Sequence, residues 1–232
     1  MTAHHTSIRP EIVERVRARR GRFHLFDRFE PRRTALVVID MQPTFVAAGA
    51  PAEVPGSRSI VAPLNTCTAA LRPRGVAVVW ITHANAPRPG GSDWPGFFDR
   101  FVAAEMRDRT LQALAPGSPA TQLWPELQAA PGDIHLRKNR YSALIAGSSD
   151  LDVTLRGRGI DTVLIAGTKT NVCCEATGRD AMMLDYGVVM VSDCLAALSD
   201  EEHRASLETM IQQFADVMTS AEILERIAGS PR

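Results

Sequence analysis

The 232-residue sequence has no long apolar run and no excess of charge of either sign. A membrane-spanning helix needs about 20 consecutive apolar residues, and no run in the chain approaches that length, so we expect no membrane span. Basic side chains number 26 and acidic ones also 26, which gives a formal net charge of zero. A neutral chain has no electrostatic reason to bind nucleic acid or an anionic lipid surface. We therefore expect neither as a partner.

Cysteines are few, and a secretory signal is not recognisable. Residues 1–21 are polar and lack the apolar stretch of such a signal. The four cysteines, Cys67, Cys173, Cys174 and Cys194, lack the paired spacing of a disulfide framework, and adjacent cysteines rarely bridge each other. These features favour a cytoplasmic protein.

Several common functional motifs are also missing. The sequence contains no GxGxxG, no GxxxxGK[ST] and no GxSxG, so it offers no motif for nucleotide binding or for a serine hydrolase. Histidines are scattered, and apart from the adjacent pair His4 and His5 none has the spacing of paired metal ligands. We expect no cofactor.

From residue 34 the chain alternates between strand-like and helix-like segments. Its apolar, β-branched runs are typical of strands buried on both faces. The predicted strands are 34–40, 75–85, 133–139, 161–168 and 187–193, and the predicted helices between and after them are 61–75, 150–159, 173–187 and a last one capped at Ser199 with Glu202 three residues on. This order predicts an α/β fold: one doubly wound, three-layer α/β/α domain around a mostly parallel sheet.

Two segments fall outside the alternation. Residues 1–32 are predicted to form an N-terminal helical arm, with a helix from Pro10 to Gly21, and residues 33–232 the domain. The arm is expected to be solvated or to pack against a second subunit. The connection 86–132 is rich in proline and glycine, with helical pieces predicted around 97–108 and 121–127. Connections this long are commonly lids or pocket walls.

Chemically useful side chains follow the predicted strands. Asp40 ends the first strand, Lys138 lies at the end of the third, and Cys173 follows the fourth. The carboxyl ends of parallel strands form the ligand-binding edge of such a sheet, so these three groups can meet in one cleft. The alternatives are an Asp40 that caps the next turn, a Lys138 in a solvated basic patch, and cysteines buried as small apolar side chains.

Cys173 is the sharpest single candidate. Thr170 or Asn171 can cap the following helix, which would place Cys173 in its first turn. The unpaired N–H groups there would lower the pKa of the thiol and could hold an oxyanion. Cys174 turns away along the helix and is expected to be structural. A redox pair with Cys173 is disfavoured, because adjacent cysteines lack the C-x-x-C spacing.

Three separated segments share a resemblance to a known family. TALVVIDMQPTF around Asp40, LRKNRYSAL around Lys138, and IAGTKTNVCCEATGRDAMMLDYGVVMVSD around Cys173 resemble the isochorismatase-like cysteine hydrolase superfamily. The likeness extends from about residue 33 to 220, and is closest to the branch of N-carbamoyl and ureidoacrylate-type amidohydrolases.

The resemblance implies hydrolysis of a C–N bond in a small amide, ureido or carbamoyl compound through a covalent acyl-enzyme, with release of ammonia or an amine. Cys173 would be the nucleophile, Asp40 the general base and then acid, and Lys138 their positioning cation. A non-proline cis peptide is implied near Gly167–Lys169. It would aim backbone N–H groups of Thr168, Lys169 and Cys173 at the oxyanion. A homo-oligomer is also implied.

Differences between this sequence and the motifs of the family limit the activities that the resemblance implies. The Asp-x-His metal motif of nicotinamidases is absent after the second strand, so we expect no metal, and isochorismatases acting on a vinyl ether lack the cysteine. Gly178 and Lys169 differ from the common pattern. Cyclic-amide or lactam hydrolysis and a catalytically silent binding protein remain alternatives. We predict that the substrate contacts Gln42, Phe45, His83, Asn85, Trp94 and Tyr141.

Overall fold

Apolar β-branched runs form the centre of the molecule. We describe residues 4, 7–89 and 91–228 from a computed structural model. The strands are β1 (Thr34–Ile39), β2 (Ala77–His83), β3 (Pro87–Arg88), β4 (Gly91–Ser92), β5 (Ile134–Lys138), β6 (Thr162–Thr168), β7 (Gly187–Ala196) and β8 (Asp216–Met218). Among the described residues, six strands form one sheet in the order β5-β2-β1-β6-β7-β8, and every neighbouring pair is parallel. The predicted parallel α/β sheet is confirmed.

Helices flank this sheet. They are α1 (Pro10–Arg20), α2 (Pro43–Val46), α3 (Val61–Leu71), α4 (Pro95–Phe98), α5 (Ala104–Leu114), α6 (Leu151–Gly157), α7 (Glu175–Met183), α8 (Asp200–Gln213) and α9 (Ser220–Ala228). Within the described part of the chain, none of them is both long and apolar enough to cross a membrane.

Each central strand is buried on both faces. In β1, Val37 and Ile39 belong to one hydrophobic core, whereas Leu36 and Val38 belong to the core on the opposite face. Successive side chains of a strand point to opposite faces, so a strand covered on both sides needs apolar residues at every position. This is why the sequence shows unbroken apolar runs rather than alternation.

The order in which strands are added to the sheet changes side between β1 and β6. From β1 it passes outward to β2 and β5, and then returns to β6 on the other side of β1. Ligands bind at the carboxyl edge of such a sheet, at this switch point. The residues that follow β1 and β6 are Asp40 and the turn leading to Cys173.

The N-terminal arm packs on its own chain. Ile12 and Val16 of α1 are buried in the same core as Leu207 and Met210 of α8. Arg9 adds a fork of hydrogen bonds to the Glu208 carboxylate, the shortest at 2.6 Å. The arm is therefore not simply solvated, and a contact with a second subunit stays a prediction.

The helical piece predicted around 121–127 does not form an α-helix. A 3₁₀ turn, Pro119–Thr121, lies at its start, and the chain then makes one isolated turn in which Leu127 donates its N–H to the Trp124 carbonyl at 3.0 Å. Trp124 donates its backbone N–H to the Met41 carbonyl at 2.9 Å. Partners distant in sequence thus satisfy the backbone of this segment, which local periodicity does not reveal.

Other boundaries also differ. The helical piece predicted over 97–108 divides into α4 and α5, and the helix capped at Ser199 is followed by β8 and α9, which were not predicted. The Ser199 cap itself is confirmed, because its hydroxyl accepts the Glu202 N–H at 3.2 Å. The Glu202 carboxylate in turn accepts the N–H of Leu198, at 3.2 Å.

Candidate active site

Asp40 lies immediately beyond β1 in a left-handed backbone conformation, with φ of 57°. Its backbone N–H donates to Ile81 O at 2.8 Å, which continues the ladder to β2, while its side chain is fully buried. The short helix that follows, α2, has Gln42 at its N-cap and no side-chain cap. Asp40 is therefore not a helix cap, and its carboxylate needs another partner.

Gly167 allows the end of β6 to come close to the end of β1, next to Asp40. Its φ is 108°, and a Cβ there would overlap the Ile39 carbonyl oxygen and lie 2.7 Å from the Ile39 nitrogen. Only glycine adopts this backbone without strain. The close approach places the turn after β6 directly beside Asp40.

Lys138 is the partner of the Asp40 carboxylate. Its side chain is completely buried, and Nζ lies 2.8 Å from Asp40 Oδ2 and 2.9 Å from His83 Nδ1. Nζ also donates to the Arg140 carbonyl at 3.0 Å. Burial alone would lower the pKa of Lys138, but the neighbouring Asp40 carboxylate outweighs it and raises that pKa. The solvated alternative for this lysine is wrong.

Cys173 lies in a π-helical turn, Thr170–Cys174, that joins β6 to α7. Its Sγ lies within 4.8 Å of an Asp40 carboxylate oxygen, and the residue is 6% exposed. Burial, and then the Asp40 charge, raise the pKa of Cys173 to about 12. The expectation of a lowered thiol pKa is therefore wrong, because desolvation and a neighbouring carboxylate exceed the influence of the turn and of Lys138. The resting thiol is neutral.

The turn before the cysteine differs in its cap from the prediction. Neither Thr170 nor Asn171 caps the helix. Lys169 occupies the N-cap position without a side-chain cap, and Thr170 Oγ1 lies 2.9 Å from His203 Nδ1. The cis peptide implied by the resemblance is confirmed between Thr168 and Lys169.

A cavity of about 460 Å³ opens beside Cys173. Of the predicted substrate contacts, those that line it are Phe45, His83, Asn85, Trp94 and Tyr141. Gln42 lies outside the lining. It is fully buried, its Nε2 donates to the carbonyls of His83 (3.0 Å) and Ala120 (3.1 Å), and its Oε1 accepts the His83 N–H at 2.6 Å. Gln42 therefore links the end of β2 to the segment around Ala120.

His83 extends the buried polar chain away from Lys138. Because its Nδ1 faces the ammonium, its Nε2 carries the proton and donates to Asn85 Oδ1 at 2.7 Å. Asn85 Nδ2 then donates to Asp93 Oδ1 at 2.8 Å. Burial, and then the Lys138 charge, hold the pKa of His83 well below its usual range. His83 is a neutral acceptor that helps to fix Lys138.

The sequence reasoning missed one wall of the cavity. Val102, Met106, Thr110 and Leu114 line it, the last three from α5. They recur at intervals of four residues, which puts them on one face of a helix. That spacing was the available signal.

Asp40, His83 and Cys173 offer ligand atoms that lie within 4.8 Å of one another, a spacing compatible with a metal ion. The Lys138 ammonium, however, is 2.8 Å and 2.9 Å from the Asp40 and His83 atoms. A positive charge therefore already occupies the point between these groups, and a second cation there would be repelled.

Comparison with known proteins identifies the family of this chain. The isochorismatase domain model matches residues 34–222, a range that contains Asp40, Lys138 and Cys173. The ureidoacrylate amidohydrolase RutB of Enterobacter sp. (strain 638) is 33% identical, over 86% of this chain and 91% of that protein.

Solved structures give the same result. A cysteine hydrolase from Pseudomonas syringae pv. phaseolicola superposes with a TM-score of 0.73 at 32% identity, over 86% of this chain and 94% of that one. The N-carbamoylsarcosine amidase of Thermoplasma acidophilum superposes with a TM-score of 0.64 at 25% identity, over 81% and 96%. This chain therefore belongs to the isochorismatase-like hydrolase family.

Proposed function

We propose that this protein is a cysteine amidohydrolase that cleaves a C–N bond of a small amide, ureido or carbamoyl compound. One observation carries the proposal: a thiol, a carboxylate and an ammonium lie close together, all buried, and the residue with the thiol, Cys173, lines a cavity. Relatives named as an amidohydrolase and an amidase support the C–N bond as the target.

In the first half-reaction Cys173 Sγ attacks the substrate carbonyl carbon, and its proton passes to Asp40. The thiol has a pKa of about 12, so it is not ionised beforehand, and proton transfer accompanies the attack. Burial raises the pKa of Asp40 as well, which makes its carboxylate a stronger base than an exposed aspartate. Lys138 keeps that carboxylate ionised and oriented.

The carbonyl oxygen becomes an oxyanion as the tetrahedral intermediate forms. We assign its stabilisation to backbone N–H groups of the turn from Thr168 to Cys173. Lys169 and Cys173 both line the cavity, and the cis bond and the π turn set the course of this backbone. Preorganised N–H donors of this kind contribute about 3–4 kcal/mol to an acyl transfer.

The intermediate collapses when Asp40 returns its proton to the departing nitrogen and the C–N bond breaks. Ammonia or an amine leaves, and the acyl group stays on Sγ. A water molecule, deprotonated by Asp40, then attacks the acyl carbon. The C–S bond breaks, Asp40 returns the proton to Cys173 Sγ, and the acid product leaves. Lys138 already supplies a cation at the centre of the cluster, so the proposed reaction needs no metal ion.

Ammonia release from a panel of compounds tests this function. The panel contains ureidoacrylate, N-carbamoylsarcosine, maleamate, nicotinamide and a lactam, each assayed with and without a chelator. Cys173→Ser should lose activity by at least about a hundredfold, since the nucleophile and its proton are both changed. Cys174→Ala is the matched control, because this neighbouring thiol is buried and contacts the Ala166 carbonyl at 3.7 Å.

Release that depends on Cys173, survives the chelator and persists in Cys174→Ala would support the proposal. Equal activity of wild type and Cys173→Ser would reject the nucleophile. Activity abolished by the chelator would reject the metal-free reaction. Absence of turnover on every compound, together with a Cys173 that electrophiles do not label, would favour a binding protein on the same fold.

A further inference from the structure

The cavity wall has a hydrophobic cluster of its own. Phe98, Leu111 and Leu114 are buried together, and Phe45, Trp94, Phe97 and Val102 pack against them. This cluster is separate from the two cores that cover the sheet. The connection between β2 and β5 is therefore an independently packed apolar wall rather than a loose loop.

Aromatic rings of this wall are fixed in place. The Trp94 ring centre lies 4.9 Å from that of Phe97 and 4.7 Å from that of Tyr141, and the Arg140 guanidinium covers Trp94 at 5.2 Å. Trp94 and Phe97 nevertheless remain only partly buried and line the cavity. Ring surface is thus held ready for an apolar ligand group, at little cost in side-chain entropy.

Polar groups of the cavity lie on its sheet side, next to the aromatic wall. His83 ends β2, and its ring stacks on that of Trp94 with the ring centres 6.2 Å apart. Asn85 follows two residues later, and Cys173 lies in the turn after β6. Of the charged lining residues, Glu53 is already paired with Arg58 at 2.8 Å. The cavity therefore has a polar, reactive floor and an apolar, aromatic wall.

We propose, on the basis of the function proposed above, that the substrate carries an aromatic or branched apolar group on its amide or ureide, and that this group is bound between Trp94, Phe97 and α5. A cavity of about 150 Å³ is enough to bind one benzene molecule. The 460 Å³ available here holds one ring in addition to the reacting group. A small polar ureide would leave the aromatic wall without a partner.

Equilibrium binding to the Cys173→Ser protein tests this without requiring turnover. Calorimetry would compare N-carbamoylphenylalanine with N-carbamoylglycine and N-carbamoylaspartate, which share the carbamoyl and carboxylate groups, and benzylurea with methylurea. We expect the phenyl compound of each set to bind roughly 30-fold more tightly, the gain from burial of one ring. The aspartate derivative separates apolar character from size.

Phe97→Ala and Trp94→Leu, each in the Cys173→Ser background, should reduce the phenyl preference at least about tenfold. Phe101→Ala is the matched control, because this aromatic side chain of the same segment is 79% exposed and should leave the preference unchanged. Circular dichroism and thermal unfolding would confirm that each variant is folded.

Equal binding of the phenyl and small compounds in both sets would overturn the inference, even if wild type hydrolyses them all. Conversely, a phenyl preference that depends on Phe97 would uphold it even where wild type releases no ammonia, and the proposed hydrolysis would then be the part that fails. A preference unchanged in Phe97→Ala and Trp94→Leu would show that the ring binds elsewhere and would also overturn it.

Discussion

Replacing Lys138 by methionine gives the most demanding test of the buried ion pair. Methionine has nearly the length of lysine and fills its volume, so the change removes the charge, together with the hydrogen bonds to His83 and to the Arg140 carbonyl, and leaves the packing nearly unchanged. Lys138 and Asp40 are both fully buried, with Nζ 2.8 Å from Oδ2. The variant leaves Asp40 as an unpaired buried carboxylate.

The cost follows from that geometry. Removing one partner of a buried ion pair destabilises a protein by about 3–5 kcal/mol. Burial already raises the pKa of Asp40, and the Lys138 charge is the strongest influence that lowers it. Without Lys138 the Asp40 carboxyl group can hold its proton, and a neutral group loses less stability on burial than a charged one. We expect a net loss of about 3 kcal/mol near neutral pH, or roughly 6–12 °C in Tm for a domain of this size.

The pH dependence has a definite sign. In Lys138→Met the folded-state pKa of Asp40 lies above the unfolded value, so the folded state binds the proton more tightly. Stability relative to wild type should therefore be best in acid and should fall as the pH rises through that folded-state pKa. A protonated Asp40 also cannot accept the Cys173 proton, so we expect activity to fall by about 10²–10⁴.

The double variant Asp40→Asn/Lys138→Met separates stability from catalysis. It removes both charges, and neutral replacements of a buried pair are often no less stable than the pair itself. Chemical unfolding should show stability near wild type, while ammonia release stays lost. Arg137→Met, at an exposed position of the same strand, should change neither property by more than about 0.5 kcal/mol.

Three results would refute this reasoning. One is a Tm of Lys138→Met equal to that of wild type. Another is a double variant as unstable as the single one, which would show that packing rather than charge is responsible. The third is wild-type activity: in Lys138→Met it would show that Asp40 accepts the proton without the help of Lys138, and in the double variant it would remove Asp40 from the reaction.

Two further predictions concern stability. Gly167→Ala should cost at least about 3 kcal/mol in chemical unfolding, because φ is 108° and the new Cβ meets rigid backbone of β1. Gly178→Ala should stay within about 1 kcal/mol of wild type, since its Cβ would overlap the flexible end of Met210 and make ordinary contacts with Met190 and Val188, and an equal loss at both sites would contradict this explanation. Burial, and then His4, lower the pKa of His203 to about 4, so the unfolded state binds more protons between pH 6.5 and 4. Stability should fall by up to about 3 kcal/mol as the pH drops through this range, and His203→Asn should reduce that slope; an unchanged slope would refute it.

Sequence alone determined the features that depend on local chemistry. A strand buried on both faces must be apolar throughout, so β1, β2 and β6 were recognisable as unbroken runs. Parallel strands place their carboxyl ends on one edge, so Asp40, Lys138 and Cys173 were candidates for one cleft. The family followed from the segments around those three residues, and the domain match over 34–222 shows it.

Tertiary structure decided everything that depends on the environment of a group. The three residues of β8 and the segment around Trp124 are held by partners distant in sequence. Gln42 was predicted as a substrate contact, but its side chain is directed away from the cavity because it hydrogen-bonds to the carbonyls of His83 and Ala120. The pKa of Cys173 was predicted in the wrong direction, because desolvation depends on what surrounds the thiol in three dimensions. Local residue types specify strands and turns, whereas burial and charge proximity exist only once distant segments have packed together.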